Sequence, residues 1–329
     1  MISELVGDTP IAELPLRAPG RLLLKLEAFN PGGSMKDRMA RAMIADAERS
    51  GRLVPRGTII ESTSGNTGTG LAMIAAERGY RFIAVVDHHA SKDKLRIMRA
   101  FGAELELVGG GDEEARVATA AREARAEELE ATMPGAVWLR QADNAANAGG
   151  YAGLAREIHE ATAGEIDVLV GAVGTGGSLC GTGRALRQLC ERRFETVGVE
   201  PFGSIIFGAP SAPYYQSGTG MPAGVEVGLN VDPSQIDAGV KVTDRAAFNT
   251  SRWLARRFGI LVGGSSGGVL YEALRRVSDG ERSPRTVVAI MSDGGEKYLD
   301  TVFDDAWMAT RGLLDEGIER EVSSFVLPR

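Results

Sequence analysis

The chain has 329 residues, enough for one large domain or two ordinary ones with a substantial core. Its 43% hydrophobic and 25% charged residues are typical of a globular protein, and its net charge of -7 argues against a nucleic-acid partner, which would need a basic face. No stretch approaches the roughly 18 consecutive apolar residues of a membrane span, and the N-terminus lacks the basic and apolar regions of a signal peptide. We therefore expect a cytoplasmic protein with no membrane partner.

One pattern recurs along the chain: a short apolar run, a turn rich in Gly, Ser and Thr, and then an amphipathic helix. It predicts strands at 58–61, 81–87, 103–108, 167–173 and 260–262. It predicts helices at 35–50, 69–78, 93–101, from after 111 to about 132, 179–192 and 269–277. This alternation indicates an α/β fold with parallel sheets covered by helices on both faces. Ligands of such sheets bind on the loops that follow the carboxyl ends of the strands.

The first segment with chemical potential is N-P-G-G-S-M-K-D-R at residues 30–38. Ser34 is a good N-cap, and Met39, Met43 and Ala47 recur at helical spacing behind it, which places Lys36 in the first helical turn. The helix dipole opposes a cation there, and a dry site would favour the neutral, nucleophilic amine. From this segment alone, a solvated surface lysine is an equally good interpretation.

Two further loops follow predicted strands and lead into helices. The loop at 61–68 reads E-S-T-S-G-N-T-G and offers hydroxyls, an amide and backbone N–H groups to a small anion. The loop at 174–178 reads G-T-G-G-S, and its lack of large side chains suits close approach of the backbone to a phosphate. An ordinary capped turn remains the alternative for the loop at 61–68.

Other chemistries fit the sequence poorly. Residues 264–268 contain G-x-S-x-G between a predicted strand and helix, the setting of an α/β-hydrolase nucleophile, but that fold needs a histidine after the serine. The histidines, His88, His89 and His159, all precede it. Cys180 and Cys190, on what we predict to be one helix, have the spacing of neither a zinc site nor a disulfide framework. We therefore expect no metal and two reduced thiols.

Taken together, these segments resemble the fold-type II pyridoxal-phosphate (PLP) enzymes, specifically the cysteine synthase and cystathionine β-synthase family. The resemblance extends from about residue 5 to 307 and rests on motifs in the right order. These are G-D-T-P at 7–10, N-P-G-G-S-M-K-D-R, T-S-G-N-T-G, the stretch 141–147, G-T-G-G-S, and G-G-S-S-G at 263–267.

The resemblance implies a role for each matching residue. Lys36 matches the lysine that holds PLP, Asn66 the residue that hydrogen-bonds the cofactor's 3′-oxygen, and Ser265 the hydroxyl that faces the pyridine nitrogen. The phosphate would lie in the loop formed by Gly174, Thr175, Gly176, Gly177 and Ser178. The carboxylate of the amino-acid substrate would be bound by Thr63, Ser64, Thr67 and Gln141.

The implied reaction is a ping-pong β-replacement on an activated serine, O-phosphoserine or O-acetylserine, through an α-aminoacrylate. Lys36 would be the base that removes the α-proton. A neutral Ser265 hydroxyl would leave the pyridine less protonated, which favours β-elimination over reactions that need a long-lived carbanion. A catalytically silent relative that only binds a partner is the remote alternative, but such a chain would be expected to lack Lys36 or the asparagine loop.

The second substrate is harder to assign. The segments 203–208 and 297–307 resemble the siderophore-type synthases that join O-phosphoserine to glutamate on the route to 2,3-diaminopropionate. The loops at 90–94 and 218–222 depart from the patterns of sulfide-using cysteine synthases, and both border the entrance for the second substrate in the family. We therefore expect an amine nucleophile such as L-glutamate, with a sulfur nucleophile as the alternative.

A dicarboxylate nucleophile must be held by cations, and Lys92, Lys94 and Arg96 are the nearest that the sequence offers. They could instead bind a phosphate leaving group or be solvated. The resemblance also implies a homodimer, in which each chain has a larger PLP-anchoring domain of residues 1–34 and 143–329. Residues 35–142 would then form a smaller domain that closes over the substrate.

Overall fold

The computed structural model describes residues 1–87, 91–109, 119–278 and 285–328. His88 and His89 and the first part of the helix predicted after residue 111 lie outside these residues. The strands are β1 (Ile11–Leu14), β2 (Arg21–Leu26), β3 (Thr58–Ser62), β4 (Arg81–Val86), β5 (Glu104–Leu107), β6 (Ala136–Trp138), β7 (Val168–Ala172), β8 (Glu195–Pro201), β9 (Ala238–Val242) and β10 (Thr286–Met291). The helices are α1 (Lys36–Arg49), α2 (Asn66–Arg78), α3 (Lys92–Ala100), α4 (Thr119–Thr132), α5 (Ala145–Gly149), α6 (Ala152–Thr162), α7 (Gly177–Leu189), α8 (Asp244–Phe258), α9 (Gly264–Val277), α10 (Asp305–Thr310) and α11 (Glu316–Ser324).

The larger sheet has six strands in the order β1-β2-β10-β7-β8-β9. All neighbouring pairs are parallel except β1 and β2, which are antiparallel. The connection at residues 15–20 is too short for the crossover that a parallel pair requires, so this edge departs from the purely parallel expectation. All five residues of β7 are buried, as expected for a central strand covered on both faces.

The smaller sheet has four strands in the order β5-β4-β3-β6, and every pair is parallel. The structure is thus the predicted α/β fold, with one parallel sheet and one sheet that is parallel except at its β1 edge. The smaller sheet is built within the predicted segment 35–142, although the domain boundaries themselves stay a prediction. One hydrophobic cluster unites Met39 and Met43 of α1 with Leu71 of α2 and Val288 and Ile290 of β10. Helix α1 therefore shares one hydrophobic core with α2 and with β10 of the larger sheet.

Several local predictions need correction. Residues 260–262 form no strand: Val262 makes only an isolated bridge to Gly294. Helices α2 and α9 begin at Asn66 and Gly264, so each glycine-rich turn includes the first helical turn. Helix α7 ends at Leu189, which puts Cys180 in the helix and Cys190 just beyond it. Both thiols are free cysteines.

Two findings bear on partners. Within the described ranges, no helix is both long and apolar enough to cross a bilayer. Across those same ranges, no three His, Cys, Asp or Glu side chains gather as a metal site would require.

Candidate active site

Lys36 is the first residue of α1, and its loop is fixed by backbone contacts to the end of β10. The N–H of Met35 donates to the carbonyl of Ser292 at 2.9 Å, and Ser34 pairs with Asp293 in an isolated antiparallel bridge. The Ser34 hydroxyl accepts from the N–H of Lys36 at 3.2 Å, but the N-cap is Met35, one residue later than predicted. Behind Lys36, the apolar face of α1 is fully buried.

The electrostatic surroundings of Lys36 favour a reactive amine. Burial lowers the pKa of its side chain to about 8, while the nearby charge of Asp293 acts in the opposite direction. A lysine with this pKa has a substantial neutral fraction near pH 8, which a solvated lysine lacks. The interpretation of Lys36 as an ordinary surface lysine is therefore inconsistent with its environment.

Asn66 begins α2 and faces the Lys36 loop. Its Nδ2 donates to Oδ2 of Asp293 at 2.8 Å, and its Oδ1 accepts from Nζ of Lys297 at 3.1 Å. Lys297 also donates to the carbonyls of Gly32 and Gly33, at 3.2 and 3.1 Å. One buried lysine thus orients the Asn66 amide and ties it to the loop that carries Lys36.

Asp293 lies at the centre of this arrangement, and its role was not predicted from the sequence. It is 1% exposed and follows β10, where its Oδ2 accepts from Asn66 and, at 2.7 Å, from the Tyr298 hydroxyl. Its Oδ1 is buried and has no hydrogen-bond partner among the described residues. The sequence signal that could have identified it is a carboxylate two residues after an apolar run, at the carboxyl end of a parallel strand.

The predicted carboxylate-binding residues lie in different hydrogen-bonding environments. The Thr67 hydroxyl donates to Oε1 of Gln141 at 2.8 Å, and the Gln141 amide nitrogen donates to the carbonyl of Ser62 at 3.0 Å. The Thr63 hydroxyl accepts the N–H groups of two glycines and so fixes the turn. Ser64 accepts from the guanidinium of Arg122 at 3.2 Å, which is a different environment from that of Thr67 and Gln141.

The buried carboxyl group of Glu61 hydrogen-bonds to residues beside the loop at 61–68. Glu61 accepts from the Trp138 indole and from the backbone N–H of Gln141, both at 3.2 Å. Burial nevertheless raises the pKa of Glu61 to about 8, against the effect of these hydrogen bonds. Glu61 therefore positions the backbone of Gln141, and no sequence pattern predicted this role.

The glycine loop at 174–178 connects β7 to α7. Gly176 has a φ of 82°, and a Cβ there would lie 2.5 Å from the carbonyl oxygen of Asn230. A Cβ on Gly177 would collide with the Asn147 side chain. Both positions therefore require glycine, and the loop lies at the N-terminal end of a 13-residue helix. Backbone N–H groups and the helix dipole make that end suitable for a phosphate.

Residues 2–293 match the model of the family described as "Pyridoxal-phosphate dependent enzyme". The chain belongs to this family. It is a PLP-dependent enzyme of the β-replacement type, as its similarity to cysteine synthases indicates.

The relatives of this PLP enzyme carry different names. It is 52% identical to a protein of Sinorhizobium fredii named "Putative cysteine synthase", over 99% of this chain and 96% of that one. It is 36% identical to an N-(2-amino-2-carboxyethyl)-L-glutamate synthase of Cupriavidus metallidurans, over 94% and 91% of the two chains. The crystal structure of a cysteine synthase from Entamoeba histolytica superposes with a TM-score of 0.87 at 31% identity, covering 98% of this chain and 93% of that one.

The residues of the candidate site fit the cofactor of the family. A lysine with a lowered pKa, a glycine loop at a helix N-terminus and an unpaired buried oxygen on Asp293 are the groups that a bound PLP would engage or satisfy. Ser265 lies in the first turn of α9 and is 5% exposed. The neighbouring Ser266 has a separate structural task, because its hydroxyl accepts the N–H of Ser292 at 2.9 Å.

We expect Ser265→Ala to change the cofactor's absorbance and to slow β-elimination roughly fivefold to tenfold, because a hydrogen bond of this kind contributes about 1 kcal/mol. The matched control is Ser266→Ala, which should lower stability and leave the absorbance unchanged. Spectra and elimination rates of Ser265→Ala that equal those of the wild type would show that Ser265 does not contact the cofactor.

Proposed function

We propose that this PLP enzyme replaces the β-substituent of an activated L-serine, O-phosphoserine or O-acetylserine, with an amine nucleophile, L-glutamate being the first candidate. A C–N bond would form at the β-carbon where the C–O bond breaks, and phosphate or acetate would leave. The observation that carries the proposal is the meeting of Lys36, Asn66 and Asp293 at the carboxyl ends of strands from both sheets.

PLP, when bound, supplies the electron sink that allows the α-proton and the β-substituent of the serine to leave. Lys36 would hold the cofactor and, once displaced by the substrate, would take the α-proton on Nζ. Its pKa of about 8 suits that task, because a base works best when its pKa lies near the working pH. Asn66, Ser265 and the glycine loop at 174–178 would hold the cofactor's 3′-oxygen, its pyridine nitrogen and its phosphate.

The substrate carboxylate would be bound at the N-terminus of α2. Thr67 and Gln141 already form a hydrogen-bonded pair there, and the backbone N–H groups of the first turn add donors. Thr63 and Ser64 would complete this site from the preceding turn. We further propose that residues 35–142 close over the donor as the smaller domain and keep water from the intermediate, while 1–34 and 143–329 anchor PLP.

The amine nucleophile is supported by the 36% identity to the glutamate synthase of Cupriavidus metallidurans, which extends over most of both chains. The departures of the loops at 90–94 and 218–222 from the cysteine synthase pattern point the same way. The name of the Sinorhizobium fredii relative, at 52% identity, favours sulfide and makes a sulfur nucleophile the second candidate.

A panel of nucleophiles tests the choice. The holoenzyme is loaded with O-phosphoserine or O-acetylserine, and the reaction with glutamate, other amino acids, sulfide and cysteine is followed by mass spectrometry of the product. We expect glutamate to give the highest kcat/KM, by roughly tenfold or more over sulfide. Rapid turnover with sulfide and none with any amine would establish a cysteine synthase instead.

A further inference from the structure

Lys94 is a buried cation whose surroundings differ from those of Lys25, Lys241 and Lys297. It lies in the first turn of α3 and is 1% exposed. Its Nζ donates to the hydroxyls of Ser217 and Tyr298, at 3.2 and 3.1 Å, and lies 4.6 Å from the centre of the Tyr298 ring. Lys94 has no ion-pair partner among the residues that the structure describes.

Three other lysines have the ion-pair partner or the full set of hydrogen-bond acceptors that Lys94 lacks among the described residues. Lys25 is equally buried and is paired with Glu157 at 2.6 Å, and the half-buried Lys241 is paired with Glu200. Lys297 distributes its three N–H groups among three oxygen acceptors. Lys94 has two hydroxyls for three N–H groups, and burial lowers its pKa to about 8. A buried ammonium in this state gains more from an anion than a solvated one does.

The position of Lys94 links it to the candidate active site. Its partner Tyr298 donates to Asp293, which also accepts from Asn66, so a continuous chain of hydrogen bonds leads from Lys94 to the asparagine loop. Its other partner, Ser217, is exposed and lies next to the loop at 218–222. Lys94 therefore joins the two loops whose sequences depart from those of the sulfide-using relatives.

The other two cations of this region do not share these properties. Lys92 is exposed, and Arg96 is 72% exposed at its side chain and forms an ion pair with Asp93 at 3.1 Å. Of the three candidates suggested by the sequence, the structure therefore selects Lys94.

We propose that Lys94 is the carboxylate-binding residue for the second substrate, and that its ammonium binds a carboxylate of the incoming amino acid beside Ser217 and Tyr298. This inference rests on the proposed β-replacement and deepens it, because it makes the enzyme select nucleophiles that carry a carboxylate. Sulfide has no such group and gains nothing from Lys94. The residue acts on the second half-reaction, after the leaving group has departed.

The test compares nucleophiles that differ in the carboxylate alone. Cysteine and cysteamine share a thiol, and glutamate and sulfide extend the series to the amine and to a nucleophile with no anchor. The variant is Lys94→Met, which keeps the length of the side chain and removes its charge. Arg99→Met, an exposed position on the same helix, is the matched control, and Lys94→Arg tests rescue. Donor-only release of phosphate or acetate reports the first half-reaction separately.

We expect Lys94→Met to lower kcat/KM roughly 10- to 100-fold with glutamate or cysteine, mainly through KM. Release of the leaving group and the reactions with sulfide and cysteamine should change less than twofold, and Lys94→Arg should restore part of the loss. If glutamate proves inactive with the wild type, the amine assignment fails, while the cysteine–cysteamine pair still tests Lys94. An equal loss with all nucleophiles, slower release of the leaving group, or a wild type that accepts sulfide and cysteamine but no nucleophile with a carboxylate would overturn the inference.

Discussion

Replacing Lys36 with alanine is expected to abolish covalent attachment of PLP and to reduce turnover by roughly a thousandfold or more. The size of the effect follows from the loss of two tasks at once, since Lys36 would hold the cofactor and serve as the base, and a positioned base alone contributes about 10²–10⁴-fold. The measurement is the visible absorbance of the purified protein together with product formation from O-phosphoserine or O-acetylserine.

The control variant for this experiment is Lys92→Ala, which removes an exposed lysine of α3 and should keep the cofactor covalently bound. Circular dichroism of Lys36→Ala should match that of the wild type, because the side chain lies at the start of α1 and the helix is held by its apolar face. A Lys36→Ala protein that retains covalent cofactor and turnover would refute the assignment.

The second large effect is expected on stability, from Arg38→Met. The Arg38 guanidinium is 1% exposed at its side chain and forms two bidentate pairs. Its Nε and Nη2 donate to Glu27 at 2.7 and 2.8 Å, and its Nη1 and Nη2 donate to Glu157, both at 2.8 Å. Burial acts to raise the pKa of Glu157, but the hydrogen bonds from Arg38 and Lys25 outweigh it and lower the pKa to about 2.

Removing Arg38 leaves Glu27, which is fully buried, without its guanidinium partner. Loss of one partner of a buried ion pair costs about 3–5 kcal/mol, so urea denaturation should show a loss of that size in the free energy of unfolding. Arg41→Met is the matched control, because Arg41 is one turn along α1 and, among the described residues, donates only to the carbonyls of Ser3 and Val6. Its removal should cost roughly 1 kcal/mol. Equal, small losses for both variants would show that the Arg38 network adds no stability.

The position of Arg38 links this network to the chemistry. It lies two residues after Lys36 on α1, and its two glutamate partners come from the segment after β2 and from α6. The network therefore fixes the start of α1 relative to both neighbours, which in turn fixes the direction of Lys36. We therefore expect a variant that impairs the pairing of Arg38 but still folds to hold Lys36 less firmly in the site.

The sequence predicted those features that depend on local pattern. Alternating apolar runs and amphipathic helices were sufficient for the α/β fold. The spacing of Met39, Met43 and Ala47 placed Lys36 in a first helical turn, although the N-cap is Met35 and not the predicted Ser34. The strand expected at 260–262 was wrong because three apolar residues do not by themselves provide a pairing partner: the strand-like pairing of Val262 is a single isolated bridge to Gly294. Burial of a short apolar run can come from loop packing as well as from a sheet.

The parts of the candidate site that the sequence could not supply depend on contacts between distant residues. Asn66 and Asp293 are 227 residues apart, and Lys94 and Tyr298 are 204 apart. No local pattern distinguishes Lys94 from Lys92, which are two residues apart on one short helix. Their difference in burial follows from which side of α3 faces Tyr298, and that depends on how the two sheets are placed in the folded chain.

Identification of the lysine that carries the cofactor tests the account most directly. Borohydride reduction of the holoenzyme fixes PLP to that lysine, and peptide mass spectrometry then locates the modification. The measurement is discriminating because Lys36, Lys94 and Lys297 all lie around Asp293 and Asn66. We expect the label on Lys36 alone. A label on Lys94 or Lys297 would contradict the assignment of Lys36 as base and of Lys94 as the carboxylate-binding residue.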